Sequence, residues 1–131
     1  MRKILFRGKR IDNGEWVYGN LNYGTIEIKS IKDSYYISDF DVNPWDKKFY
    51  LVIPESVGQY TGLTDKNGKK IFEGDIIFDP ELKENHIVMF DEGGFCTEEM
   101  FLRFYLCFDE MEVEVIGNIY DDNLEELANG R

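Results

Sequence analysis

Val57-Gly58-Gln59-Tyr60-Thr61-Gly62-Leu63-Thr64-Asp65-Lys66-Asn67-Gly68-Lys69-Lys70-Ile71-Phe72-Glu73-Gly74-Asp75-Ile76-Ile77-Phe78 alternates apolar with polar residues on both sides of a turn-forming centre. Within that centre, Lys66-Asn67-Gly68-Lys69, Asn and Gly both tolerate the positive φ that a type I′ turn demands, which predicts a tight hairpin. The stretch marks a small β-domain and holds no catalytic group. Its Gly74-Asp75 pair suits a bend or bulge entering the next strand, with Asp75 bonding the local backbone.

The flanks read in the same way. Upstream, Ile4-Leu5-Phe6 begins a strand, Asp12-Asn13-Gly14-Glu15 turns, and Trp16 to Leu21 returns. Tyr23-Gly24 is expected to end that strand, after which Thr25 to Lys29 alternates again. Tyr35-Tyr36-Ile37 forms a further short strand, and Ser38 to Lys48, with Asn43-Pro44, a long surface loop. Tyr50 to Ile53 reads as a buried strand ended by Pro54. Downstream, Asp79 to Asn85 is a charged connection, His86 to Phe90 a strand, and Asp91-Glu92-Gly93-Gly94 a turn. Phe101, Phe104, Tyr105 and Phe108 recur at helical spacing, yet such an aromatic run also suits a buried strand. Glu112 to Tyr120 begins with clean alternation that turns Val113 and Val115 inward. Asp122 can then cap a short helix with Glu125 reaching back, and Asn129-Gly130 ends it.

A chain of 131 residues, 43% hydrophobic and 15% aromatic, is enough for one packed domain or two small lobes. No apolar run approaches the roughly 18–20 residues of a membrane span. Arg7, Lys9 and Arg10 interrupt what would otherwise resemble a signal-peptide core, so a soluble, cytoplasmic protein is expected. Cys96 and Cys107 lie in or beside apolar runs, where free cysteines behave as small hydrophobes.

The net charge of −11 is unevenly spread. Residues 1–30 carry six bases and three acids, residues 31–80 six and nine, and residues 81–131 three and fourteen. Phosphate repulsion therefore disfavours nucleic-acid binding through the C-terminal half. The basic cluster Arg2, Lys3, Arg7, Lys9 and Arg10 suits a solubilised edge strand or a patch facing an acidic partner. One such partner is the acidic end of another copy, held by a contact that weakens with salt.

Reactive constellations fail one by one. The single His86 stands at a strand start with no nucleophile spaced to it. His86, Cys96 and Cys107 lack the close ligand pairs of a zinc site. Asp39-Phe40-Asp41-Val42-Asn43 imitates the start of a calcium loop, but Pro44 replaces the required Gly and Tyr50 the required Glu. Gly62 and Gly68 are too far apart for a phosphate loop, and Lys69 precedes Lys70 in place of Ser or Thr. Glu98-Glu99, Glu112/Glu114 and Glu125-Glu126 are neighbours in a chain with 26 acids, and nothing marks them as the buried groups acid–base work needs. No enzyme, metal or cofactor is expected.

Three segments resemble the YopX family of phage and prophage proteins: Phe6-Arg7-Gly8-Lys9-Arg10 with Gly14 to Gly19, Val57 to Ile77, and Glu114-Val115-Ile116-Gly117-Asn118-Ile119-Tyr120-Asp121. Asp121-Asp122-Asn123-Leu124 departs from the Asp-Asn-Pro-Glu-Leu of the family pattern. The resemblance implies a mainly β protein whose C-terminal part is an SH3-like β-barrel. Residues 1–54 are then a small β-rich lobe, packed with a barrel over residues 55–131 that ends in the short helix. It implies no reaction and carries over no catalytic residue.

The expected function is a phage or prophage accessory role, met by binding a protein or by homo-oligomer formation. Candidate partner-binding residues are Arg7, Lys9, Arg10, Trp16, Tyr18, Tyr60, Lys69 and Lys70. The bland alternative for the aromatics, with Phe72, is core packing. Two other readings compete: an acidic DNA mimic that blocks a host DNA-binding protein, and a nucleic-acid-binding barrel whose bases meet phosphate while aromatics stack.

Overall fold

Period-two alternation becomes antiparallel pairing throughout the computed structural model, which describes residues 4–26, 31–38, 48–91, 93–97 and 112–121. The fold is mainly β, and the only helical feature among the described residues is one 3-10 turn, Pro54–Ser56. The chain divides into two compact units, residues 1–59 and 60–131.

In the first unit, β1 (Phe6–Lys9), β2 (Trp16–Ile26), β3 (Ile31–Ser38) and β4 (Phe49–Leu51) lie in the order β4-β3-β2-β1. Gly58 and Gln59, which begin β5 (Gly58–Thr64), pair with Arg7 and Phe6 on the free edge of β1. The expected break at Tyr23-Gly24 does not occur. β2 is one strand of 11 residues, and the register shifts between Gly24 and Ile26. A glycine within a paired strand makes a bulge where the ladder on either side holds. β3 extends the expected Tyr35–Ile37 strand in both directions. β4 ends before Pro54, and Val52 bridges Arg10. Ile37 and Val52 are fully buried. Burying such side chains stabilises by about 1.5–3 kcal/mol each. A Cβ at Gly8 would come within 2.9 Å of Val52, and one at Gly19 would collide with the Ser38 carbonyl. Both glycines are therefore needed for close approach.

The second unit takes the remainder of β5 together with β6 (Lys70–Phe72), β7 (Asp75–Asp79), β8 (Glu84–Ile87), β9 (Met89–Asp91), β10 (Gly94–Cys96) and β11 (Glu114–Asn118). β5 pairs with β6, β9 with β10, and β7 lies between β8 and β11. Ile71, Ile77, Val88, Cys96, Val113 and Val115 form one core, with Leu63 and Phe95 against it. Cys96 is buried, and Val113 and Val115 face inward as their alternation predicts. His86 to Phe90 is not one strand. Val88 leaves the ladder to donate to the Asp75 carbonyl (2.9 Å) and accept from the Gly74 amide (2.7 Å). Among the described residues no strand pairing closes these sheets into a barrel. The outer edge of β11 meets a turn, where Val113 accepts from the Lys66 amide (3.1 Å) and Val115 donates to the Asp65 carboxylate (2.9 Å).

That turn differs from the expected type I′. Gly68 has φ +80°, but Asn67 does not take positive φ, and Gly68 donates to the Asp65 carbonyl (3.0 Å). This is the three-residue hairpin in which a left-handed glycine follows an ordinary turn. The Asp65 carboxylate selects it by accepting from the Asn67 and Lys69 amides at 2.8 and 2.9 Å. The expected terminal helix and the Met100–Phe108 segment lie outside the described residues, as does most of the Ser38–Lys48 loop.

Candidate functional site

Antiparallel register decides which candidate residues meet. Arg7 stands opposite Tyr18 and Lys9 opposite Trp16. Directly opposed residues project to the same side of a sheet, as do residues two apart on a strand. Arg7, Lys9, Trp16 and Tyr18 therefore share one face of the first unit. The Arg7 guanidinium carbon lies 4.7 Å from the Trp16 ring centre, and the Lys9 nitrogen 5.9 Å. Both fall within the roughly 6 Å over which a ring quadrupole attracts a cation. Arg7 is buried against the indole, whereas Tyr18 is 50% exposed. The cluster thus runs from the buried Arg7 to the half-exposed Tyr18.

The same face continues across β2 and β3 to residues that the sequence reading did not single out. Asn22 donates to the Ser38 hydroxyl (3.0 Å), and Tyr36 meets Phe49 edge to face at 5.3 Å. The signal was present as the even-numbered run from Trp16 through Asn22, but its continuation onto β3 depends on a pairing register that only the fold supplies.

Arg10 projects from the opposite face. Its guanidinium carbon lies 4.7 Å from the Tyr50 ring centre, and it donates to both carboxylate oxygens of Asp12, at 2.9 and 2.6 Å. These hydrogen bonds raise the Arg10 pKa and lower that of Asp12. Arg10 is thus engaged within its own hairpin.

Tyr60, Lys69 and Lys70 belong to the second unit. The Tyr60 ring packs against Phe72 at 5.5 Å, and the Lys70 nitrogen lies 6.0 Å from it. Lys69 lies on the Asp65 turn, where its charge favours the ionised carboxylate. Burial raises the Asp65 pKa, but the Val115, Lys69 and Asn67 amides, with the Lys69 charge, bring it below the ordinary value. Asp75 is fully buried and accepts from the Phe72 amide (2.7 Å), the local bond its position after Gly74 suggests. The carboxylates of both Asp65 and Asp75 accept backbone amides. His86 is buried, with its ring 3.4 Å from Glu84. Among the described residues, no three His, Cys, Asp or Glu side chains gather as metal ligands. No helix among them is long and apolar enough to cross a membrane.

Comparison with known proteins agrees with this architecture. A solved structure, protein EF1440 from Enterococcus faecalis, superposes with a TM-score of 0.54 at 22% identity, covering 92% of this chain and 96% of that one. At that identity the likeness shows the fold alone. No curated protein matches. The profile of the YopX protein family matches residues 5–125, nearly the whole length, and the chain belongs to the YopX family.

Proposed function

We propose that this chain is a non-enzymatic accessory protein of a phage or integrated prophage, working in the bacterial cytoplasm by docking a protein partner. The observation that carries the reading is the shared face of Arg7, Lys9, Trp16 and Tyr18. Buried Arg7 packs over the indole ring, so Trp16 is held in place before any partner arrives. Rigid aromatics with an adjacent cation suit a protein segment carrying carboxylates beside apolar groups. A dense polyanion fits less well, because the chain's net charge of −11 repels it. Residues 55–131 are read as an SH3-like barrel with a short terminal helix. Support comes from its short strands around one apolar core and from the Asp65 turn meeting the edge of β11.

Tryptophan fluorescence tests the docking face. The full chain is titrated with a synthetic Glu- and Phe-containing peptide and, separately, with oligothymidylate of equal length. Saturable peptide binding is expected, weakened about tenfold (about 1.4 kcal/mol) by Lys9→Glu with Tyr18→Ser. Peptide binding that ignores both substitutions would overturn the reading. Tighter binding of the oligonucleotide would replace it with the nucleic-acid alternative.

A further inference from the structure

We infer, building on that docking reading, that the partner on the Arg7–Lys9–Trp16–Tyr18 face is a second copy of this chain, presenting its exposed carboxylates Glu81, Glu84, Asp91 and Glu112. Charge complementarity supports it. Residues 1–30 carry a net +3 and residues 81–131 a net −11. Within the latter range Glu81, Glu84, Asp91 and Glu112 are exposed. The opposing surface sets Lys9 beside Trp16 and the half-exposed Tyr18. It can therefore offer a carboxylate both a cation and apolar ring area.

The charges decide which surfaces meet. Two copies meeting basic face to basic face would bring like charges such as Lys9 together, so that contact is repulsive. Basic face against acidic carboxylates is attractive, whether two copies exchange the contact reciprocally or further copies add head to tail. Net repulsion between two chains of −11 does not prevent this. At about 0.1 M salt the Debye length is about 10 Å, so charges farther apart are largely screened while groups in contact still attract.

The test is the mass of the full chain by light scattering after size exclusion, at about 0.1 M and about 1 M salt, where the Debye length falls to about 3 Å. Species larger than the monomer are expected at the lower salt and should dissociate at the higher. Lys9→Glu with Tyr18→Ser should give a monomer, as should Glu81→Lys with Asp91→Lys and Glu112→Lys. Lys9→Arg should still assemble. An equal mixture of the two multiple variants should form dimers only, because each supplies one intact half. Circular dichroism confirms that every variant is folded. A wild-type monomer at both salts would overturn the inference, as would assembly surviving both multiple variants. If that monomer still binds the acidic peptide through Lys9 and Tyr18, only the identity of the partner fails. If it does not bind, the docking reading fails with it.

Discussion

The Asn13-Gly14 and Asn67-Gly68 hairpins begin from the same dipeptide, and both put the glycine in the left-handed region, at φ +73° and +80°. They differ in where the neighbouring aspartate goes. In the first, Asp12 turns outward to Arg10, and Gly14 donates to the Arg10 carbonyl (3.0 Å). All these partners lie within the loop itself. In the second, Asp65 turns inward and accepts three backbone amides, one of them from Val115, 50 residues away in sequence. Similar turns thus serve a local closure in one unit and a long-range tie in the other.

The sharpest way to break this contrast is to remove the inward carboxylate. Asp65→Ala strips three donors of their acceptor. Water can replace it at Asn67 and Lys69, but the Val115 hydrogen bond is buried. An unsatisfied buried donor costs about 1–3 kcal/mol, and two weakened turn bonds add to it, so a loss of about 3 kcal/mol is expected. Urea unfolding followed by circular dichroism measures it, and a loss below about 1 kcal/mol would reduce Asp65 to a local turn residue.

The same carboxylate sets a pH dependence. Its pKa in the folded protein lies below the ordinary aspartate value, so ionised Asp65 favours the folded state. That stabilisation is complete above the unfolded pKa and is lost as pH falls through the lowered native one. Stability should therefore decline below about pH 4, and less steeply in Asp65→Asn, which has no charge to lose. Equal acid slopes for the two proteins would show that other carboxylates dominate.

Both hairpins and the inward positions of β11 were legible because turn residues and period-two alternation are local signals. The tie between them was not. In sequence Asp65 is one acid beside a turn, and neither its burial nor its bond to Val115 leaves any trace in spacing. It also changed the turn type. An Asn-Gly pair permits type I′, but an aspartate two residues earlier that bonds the Asn67 and Lys69 amides selects the three-residue form. The candidate face follows the same division. Trp16 and Tyr18 stood out by alternation, and Arg7 and Lys9 by charge. Arg10, equally basic, falls on the opposite side because one residue along a strand reverses the side chain.

Glycine substitutions then ask whether the two turns share a backbone requirement. Nothing lies within 4 Å of a Cβ added at Gly14 or Gly68, so only the positive φ opposes alanine. Gly14→Ala and Gly68→Ala should each cost about 1 kcal/mol, and nearly equally, because the left-handed penalty belongs to the residue. A Gly68→Ala loss several times that of Gly14→Ala would mean that the Asp65 tie stiffens the turn and keeps it from relaxing around the new side chain.

Asp12→Ala closes the comparison at its small end. Asp12 is exposed and its partner Arg10 is held independently by the Tyr50 ring. Exposed ion pairs gain little Coulomb energy against the side-chain entropy they cost, and salt screens what remains. The urea midpoint should therefore not move measurably, at low or high salt. A clear shift that vanished with salt would show the outward aspartate helping to close its hairpin through charge, bringing the first turn closer in kind to the second.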